Sequence, residues 1–411
     1  MDQSKFKLKF IGFEEAFRLA MDNVPTLPKE WVDTGKALNR VLAGSVKAAV
    51  DSPSVDSSIK DGYAVISSDL AEASALQPVE LGLVGSIGAG TRSKKAIAPG
   101  TAMRILSGAM IPEGVDAVLA NEFAEEKSGV VRAFADAHSG RNILRRGTDI
   151  SLGETLANPG SELAPGLIGL LVAGGVSKVS VFSRPRISLL ATGDEVLLPG
   201  KPIKKGELYA SNVALQDAWL RSKGIECSIE ICGDSFEKLA TVIESKISRF
   251  DVLITSGGAW TGDRDLTVKV LNNLGWNPIF HKVRMGPGKG VGMGLLNSKP
   301  VFCLPGGPPS NEMAFLMIVL PAVLRMAGHT KTLFPELFGR LTSELLGQLN
   351  WTQFVHCDVT RQGSEFFLTP LNMRRVSGMR KTTAILKIPE GVDRINSGAV
   401  VPFAAIDLDL S

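Results

Sequence analysis

The sequence lacks the features from which membrane and secreted proteins are recognised. No apolar run approaches the ~18 residues that a membrane-spanning helix requires. The charged stretch 1–10 contains no apolar segment of the kind that directs secretion. Together these absences predict a cytoplasmic protein without a membrane segment.

Cysteine, histidine and aromatic residues are also scarce. The four cysteines form no CxxC pair, and Cys227 and Cys232 lie in an apolar, strand-like run typical of small core residues, which disfavours metal ligands or a disulfide there. The four histidines show no metal-ligand spacing, and neither a GxSxG elbow nor a Walker loop is present. With 6% aromatic residues and a net charge of +3, the composition predicts no nucleic-acid partner but is compatible with small anionic ligands.

Glycine, in contrast, is abundant: there are 43 glycines, and many follow the ends of apolar strand-like runs. Strands and helices alternate between 187 and 326, which predicts a doubly wound, mostly parallel α/β sheet. Ligands bind to such sheets at the carboxyl ends of the strands. The predicted strands are 187–191, 226–231, 251–255 and 300–304, and the predicted helices are 210–223, 236–248, 265–274 and 310–326.

The flanking regions have a different pattern of predicted secondary structure. Before this sheet, apolar spacing predicts helices at 11–23, 31–42 and 164–173, and short strands predict a β module between 52 and 142. After Gly328, short strands again predict a small β domain. The predicted strands of the two modules are 79–84, 102–106, 117–119 and 129–134, then 337–341, 355–360, 365–371, 384–388 and 399–404.

Three predicted strand ends combine glycine with polar residues. They are Thr192-Gly193 with Asp194 and Glu195, Ser256-Gly257-Gly258 with Asp263 and Asp265 beyond it, and Gly306-Gly307 with Ser310. Glycine lets a backbone approach a phosphate, a following helix N-terminus favours an anion, and carboxylates suit a divalent cation. Two of the runs also have a plainer interpretation: the first as a helix N-cap or a turn with solvated carboxylates, and the third as a turn followed by a helix cap at Ser310.

Two further runs carry charge next to glycine. Lys282 and Lys289 flank a glycine-rich turn, which suits an oxyanion or phosphate or, more plainly, is a solvated basic loop. Asp61-Gly62, taken alone, is an ordinary turn signal.

Six motifs occur in one order along the chain. They are DGYA at 61–64, RILSGA at 104–109, ILRRGTD at 143–149, TGDE at 192–195, SGG at 256–258 and LPG at 304–306. Together they resemble the molybdopterin molybdenumtransferase family, MoeA in bacteria, which is related to the E domain of gephyrin. The resemblance spans roughly residues 6–400.

The resemblance implies a multidomain α/β plus β protein that forms an elongated homodimer. Domain I would be discontinuous and elongated, built from 6–50 and 143–182 and joined by a long helix. Domain II would be a β insert at 51–142, domain III a doubly wound α/β molybdopterin-binding domain at 183–328, and domain IV a small C-terminal β barrel at 329–411. Domain II of one subunit would face domain III of the other.

The implied reaction consumes adenylyl-molybdopterin and molybdate, releases AMP and is assisted by Mg²⁺. Molybdopterin adenylyltransferase and molybdoenzyme-maturation proteins would be partners. Motif positions imply catalytic roles for Asp61, Asp149, Glu195, Asp234, Asp265 and Lys282, with Asp61 and Asp149 coming from the other subunit. They imply pterin, phosphate or molybdate contacts for Ser107, Thr192, Gly193, Gly257, Gly258, Lys289, Gly306, Ser310 and Ser377, and metal contacts for Glu195, Asp263 and Asp265.

The chain departs from the family pattern at several positions. Ala210 replaces an acidic residue, Gly286 stands where a basic residue is common, and Gly307 replaces the asparagine of an LPGNP loop. In the last domain, 350–354 lacks an arginine-rich stretch and 376–380 replaces a Gly-Ser-Gly loop, although Ser377 and Arg380 still suit an oxyanion.

These departures leave alternatives open. A specialised paralogue would bind molybdopterin and deliver it to a partner without inserting metal. A gephyrin-like scaffold that binds a peptide would share the fold. An unrelated α/β nucleotide-binding enzyme would not explain DGYA and ILRRGTD, which lie outside the predicted sheet.

Overall fold

The computed structural model describes residues 10–93, 95–200, 202–258, 266–372 and 376–407, without the side chain of Val376. The chain divides into two compact units. The smaller unit contains Trp31–Leu38 and Gly44–Ser180, and the larger contains the described parts of Met1–Glu30, Asn39–Ala43 and Val181–Ser411. This division into two units is coarser than the four domains expected from the sequence, so the boundaries of those domains remain a prediction.

The smaller unit is built on a six-stranded sheet. Its strands, in spatial order, are Ala117–Ala120, Gly62–Val65, Thr101–Ile105, Val79–Ile87, Val130–Ala133 and Ala124–Lys127. Both faces are covered, since Tyr63 and Val65 pack into one apolar cluster and Ala64 packs into another. The four strands predicted for this module are therefore confirmed.

The rest of the smaller unit contains one α-helix, Pro165–Ala173, and short strand pairs among its described residues. Val46–Lys47 pairs with Thr155–Ala157, and Ser57–Ser58 pairs with Ile143–Leu144.

The helix predicted at 31–42 is wrong. The structure has a strand, Lys29–Asp33, and a short 3₁₀ helix, Thr34–Lys36. The buried Thr34 donates its backbone N–H to the Ser177 carbonyl and its hydroxyl to the Val176 carbonyl, at 2.9 and 2.8 Å. Hydrogen bonds to a remote segment thus replace those of a local helix. The long helix implied for domain I is also absent from the described residues, because the helices in the two ranges, Phe13–Asp22 and Pro165–Ala173, have only 10 and 9 residues.

The larger unit contains the predicted doubly wound sheet. Its strands, in spatial order, are Cys227–Cys232, Ile187–Thr192, Val252–Ser256, Lys299–Leu304, Gly292–Leu296 and Asn277–His281. The first four are parallel and the last two are antiparallel additions. The surrounding helices are Phe13–Asp22, Ser211–Ser222, Phe236–Arg249, Leu266–Asn273 and the helical segment that begins at Pro308. Apolar clusters on both faces of the sheet confirm the predicted architecture.

The helical segment after the last parallel strand changes its winding in the middle. It consists of Pro308–Ala314, a π-helical turn at Phe315–Val319, and Leu320–Met326. Pro321 lacks the N–H that would bond to the Met317 carbonyl in a regular helix, which explains an irregular turn at this point. Every residue from 311 to 324 is buried, so this segment forms the centre of the larger unit.

The chain ends in the small β barrel expected from the sequence. The strands Glu336–Leu341, Thr352–Gln362, Glu365–Pro370, Ala384–Ile388 and Val400–Ala405 close into a ring around an apolar core. Thr352–Gln362 also pairs in parallel with Val283–Gly286, which in turn pairs with Ile11–Gly12. These pairings join the barrel to the α/β part of the same unit. Within the described residues, no helix combines the length and apolarity needed to cross a membrane.

The DGYA motif has a structural reason for its glycine. A Cβ atom on Gly62 would lie 2.0 Å from the carbonyl oxygen of Leu119 on the neighbouring strand. We expect Gly62→Ala to lower the free energy of unfolding by about 3 kcal/mol, because the strands must separate. Gly82→Ala is the control, since its Cβ would lie 3.9 Å from the nearest atom. Equal shifts of the urea midpoint in the two variants would contradict this reason.

Candidate functional site

The carboxyl ends of three adjacent parallel strands open into a cavity of about 550 Å³. The strands Ile187–Thr192, Val252–Ser256 and Lys299–Leu304 end at the same level of the sheet, the edge at which doubly wound folds bind ligands. Seven of the predicted catalytic and binding residues line this cavity: Thr192, Gly193, Glu195, Asp234, Gly257, Gly258 and Gly306.

Two glycines allow the strand ends to approach each other. A Cβ atom on Gly257 would lie 2.8 Å from the Thr192 carbonyl oxygen, and one on Gly258 would lie 2.5 Å from Thr267 Oγ1. Both residues have positive φ, +105° and +60°. Because any side chain would collide with the neighbouring segment, the cavity floor requires glycine at both positions.

Ser256 is the centre of a hydrogen-bond network in the cavity wall. Its Oγ accepts N–H bonds from Asn212 Nδ2 at 3.2 Å and from Asn311 Nδ2 at 3.0 Å. The same two amide groups also donate to the carbonyls of Gly306 and Pro305, both at 2.8 Å. With its oxygen accepting two bonds, the hydroxyl of Ser256 keeps its proton to donate to a ligand.

A buried glutamine extends this network away from the cavity. Gln216 Nε2 donates to Asn311 Oδ1 at 2.6 Å, and both residues are almost fully buried. The bond fixes which way the Asn311 amide points, so its N–H groups face Ser256 and Pro305. The loop at 305–307 is therefore held by side-chain amides.

Three carboxylates gather near the mouth of the cavity. Asp194 Oδ1 accepts the backbone N–H of Asp234 at 2.9 Å. Burial, followed by the charges of Asp194 and Glu195, raises the pKa of Asp234 above its usual value. The other two predicted metal ligands, Asp263 and Asp265, lie outside the described residues. Within the part of the chain that the structure describes, no group of three or more His, Cys, Asp or Glu is arranged to hold a metal.

Ser310 does not cap the helix as predicted. The helix begins at Pro308 with Gly307 in the cap position and without a side-chain cap bond. Proline at the first helical position fixes φ at a helical value, so the helix starts two residues earlier than the serine. Ser310 instead lies in the first turn, where its carbonyl would be 3.3 Å from a Cβ atom on Gly288.

The basic turn at 282–290 does not contribute to the lining of this cavity. The backbone N–H groups of Lys282 and Val283 donate to the carbonyls of Val291 and Lys289, at 2.9 and 3.0 Å, which closes the turn on itself. The ammonium group of Lys282 lies 5.8 Å from the centre of the Phe10 ring, a cation–π distance. The roles of both lysines in binding remain predictions.

A second, smaller pocket of about 380 Å³ lies in the smaller unit. It brings together two residues predicted from separate motifs, because Asp61 Oδ1 accepts the backbone N–H of Ser107 at 2.6 Å. Lys60, Asn121 and Glu122 complete its polar lining.

The two remaining predicted residues, Asp149 and Ser377, are exposed and lie in neither pocket. Asp149 follows a loop whose two arginines are paired elsewhere: Arg145 and Arg146 each bond to an aspartate at 2.6 Å, Asp56 and Asp51. Ser377 lies on the short helix Val376–Lys381. Their predicted roles stay predictions.

The sequence analysis missed the amide network. Asn212 and Gln216 are four residues apart on the helix Ser211–Ser222, and Asn311 precedes the apolar run of the central helix. Polar side chains on the core-facing side of an apolar helix are the signal that could have indicated them, because buried amides require partners.

Two family models match the chain. The MoeA N-terminal region (domain I and II) matches residues 11–175, and the probable molybdopterin binding domain matches residues 188–325. These ranges contain both pockets described above.

Individual relatives are similar over most of their length. The molybdopterin molybdenumtransferase of Bacillus subtilis (strain 168) is 30% identical over 384 residues, covering 90% of this chain and 88% of the relative. That of Staphylococcus aureus (strain MRSA252) is 29% identical, covering 92% and 89%. A crystal structure of the molybdopterin biosynthesis MoeA protein from Pyrococcus horikoshii superposes with a TM-score of 0.81 at 31% identity, covering 97% of this chain and 99% of that one.

The carboxylates at the cavity mouth predict a specific pH dependence. A raised native pKa means that the charged form of Asp234 destabilises the fold above that pKa, and that this effect disappears as the pH falls below the unfolded value of 3.8. We therefore expect Asp234→Asn to raise the denaturant midpoint at pH 7 and to lose this gain towards pH 4. Asp393→Asn, at an exposed position in the barrel, is the control. A gain that is independent of pH would refute the electrostatic cause.

Proposed function

This chain belongs to the molybdopterin molybdenumtransferase family, and from this membership we propose that it inserts molybdenum from molybdate into adenylyl-molybdopterin and releases AMP. The observation that carries the proposal is the cavity at the carboxyl edge of the sheet. Its volume of about 550 Å³ is that of a small-molecule site, and its floor is bare backbone.

The cavity residues suit a flat, polar ligand with a phosphate group. Gly257 and Gly258 let the pterin or the pyrophosphate lie against the main chain. The hydroxyl of Ser256 donates, and Asn212, whose amide nitrogen is already bonded, presents its Oδ1 as an acceptor. These groups bind and orient the substrate while the adenylate leaves.

Magnesium remains a prediction from the family resemblance. Asp194, Glu195 and Asp234 supply negative charge near the cavity mouth. Burial raises the pKa of Asp234 most, and a cation would offset the further contribution of the Asp194 and Glu195 charges. The described residues nevertheless form no complete metal site. The residues described here do not by themselves fit the ion, and the role proposed for them is substrate binding.

We also propose that the protein acts as a homodimer. The helix Pro165–Ala173 is entirely apolar, yet Leu171 is its one buried residue, and Leu170 and Val172 are 38% and 57% exposed. A second copy of the chain would cover this surface. A dimer would also let Asp61 and Asp149 of one subunit serve the cavity of the other, as the resemblance implies.

The proposed reaction requires a source of adenylyl-molybdopterin and an acceptor for the finished cofactor. An adenylyltransferase and the maturation proteins of molybdoenzymes are the partner classes with that chemistry, and we propose that all of them act in the cytoplasm.

The deciding experiment is AMP release by the purified protein given adenylyl-molybdopterin, magnesium and molybdate, with the molybdenum content of the pterin measured alongside. Molybdate-dependent AMP release with a metallated pterin is expected. Tight pterin binding without AMP release or metallation would reject the enzyme and favour the carrier that delivers molybdopterin to a partner.

The same assay tests the cavity floor. We expect Gly257→Ala to reduce AMP release about 100-fold, because the methyl group displaces the Thr192 strand end by a fraction of an ångström or more. Gly35→Ala is the control, since a Cβ atom there meets nothing within 4 Å. Full activity of Gly257→Ala would place the substrate elsewhere.

The dimer is tested separately by light scattering after gel filtration. Val172→Glu is expected to convert the dimer to a monomer, because a charge would be buried in an apolar interface. Leu76→Glu is the control at a side chain that is 99% exposed. A Val172→Glu protein that stays dimeric would exclude this helix as the interface.

A further inference from the structure

The helix Pro308–Ala314 carries two adjacent buried polar residues that bond in different directions. Asn311 donates to Ser256 and to the Pro305 carbonyl in the cavity wall. Glu312 Oε2 lies 3.0 Å from Nε2 of His356, on the barrel strand Thr352–Gln362. The first turns of this helix therefore connect the cavity to the barrel.

The Glu312–His356 pair is almost completely removed from water. The two side chains are 6% and 2% exposed. A buried ionisable pair of this kind often adds little stability relative to apolar residues of similar volume, because desolvation offsets the attraction. Its directional bond, in contrast, fixes how two elements are oriented, which an apolar contact does not.

The cavity wall next to this helix, the loop at 305–307, depends on directional hydrogen bonds for its position. A Cβ atom on Gly306 would meet nothing closer than the Gly257 Cα at 3.8 Å, and one on Gly307 would meet nothing within 4 Å. These two glycines thus contribute no side-chain packing to the loop. Its position is set by the amide bonds to its carbonyls and by the start of the helix, where Asn311 N donates to the Gly307 carbonyl at 2.9 Å.

We propose that Glu312 and His356 are positioning residues, which lock the first turn of this helix to the barrel and thereby hold the 305–307 wall of the cavity in place for the substrate. Asn311, the neighbour of Glu312, transmits the constraint through its bonds to Pro305 and Ser256. The barrel would then contribute to substrate affinity through the His356–Glu312 hydrogen bond. The ligand in this inference rests on the proposed function, whereas the ordering of the loop does not.

The test separates orientation from stability by using two kinds of variant. Glu312→Gln keeps a hydrogen-bond acceptor for His356, while Glu312→Met combined with His356→Leu replaces the pair by apolar side chains. We expect the double variant to unfold at about the same urea concentration as the wild type. Its KM for adenylyl-molybdopterin should rise about tenfold with little change in kcat, because the wall binds substrate and transition state alike. Glu312→Gln should stay within about threefold of the wild type.

A second readout needs no substrate. Hydrogen exchange of the Gly306, Gly307 and Asn311 amides should be faster in the double variant than in Glu312→Gln or the wild type. Glu365→Gln, which breaks an exposed pair with Arg340 on the barrel, is the control and should leave this exchange unchanged.

Three results bear on the positioning role of Glu312 and His356. A stable double variant with unchanged exchange and unchanged KM overturns it and leaves the pair a structural contact. If the double variant does not fold, Glu312→Met alone, which leaves His356 without an acceptor, is compared by exchange, and unchanged protection of the loop overturns the inference in the same way. A wild-type protein that releases no AMP would remove the proposed function, while the exchange comparison would still test the pair.

Discussion

The cavity depends on how closely the backbones of neighbouring parallel strands approach at their carboxyl ends. The register pairs Ala191 with Ser256, and Ser256 with Leu304, so three turns begin at one level of the sheet. Gly257 then lies where a single methyl group would overlap the Thr192 carbonyl. Ser256, in the middle strand, carries a hydroxyl that both flanking amide side chains reach. The glycine floor, the hydrogen-bond network of the wall and the acidic mouth lie together because the three strands end at the same height of the sheet.

Local signals explain what could be predicted from the sequence. An apolar run that ends in glycine is a local pattern, and the strands ending at Thr192, Ser256 and Leu304 were predicted within one residue of their observed ends. The helix predicted at 31–42 failed because Thr34 is bonded to a segment 142 residues away, which no local window contains. Seven of the predicted site residues line the cavity, because the same local patterns located the strand ends and the turns that follow them. The Ser256 network was not predictable, since it joins side chains up to 95 residues apart in the sequence.

Side-chain amides of the larger unit hold one loop, 305–307, through its carbonyls. Side-chain amides are costly to bury unless bonded, and here each amide N–H that holds the loop has a specific oxygen as its acceptor. The loop itself is glycine and proline, which contribute almost no side-chain packing. The protein thus combines a wall of bare main chain, suited to a flat ligand, with a rigid polar scaffold directly behind it. Such an arrangement gives a ligand both access to the backbone and a pre-organised surface.

The π-helical turn at Phe315–Val319 has a consequence for comparing this chain with its relatives. One residue added to a helix rotates everything beyond it by about 100° and moves it by about 1.5 Å. The turn therefore lets the part before it bond to Ser256 and His356, while the part after it, from Leu320 to Leu324, packs into an apolar cluster. A relative with a regular helix here would need one residue fewer. An ungapped alignment through this segment would then pair side chains that point to different sides of the core. A difference seen at Asn311 or Glu312 would then come from the one-residue offset of the helix and not from a change of the residue that occupies that place.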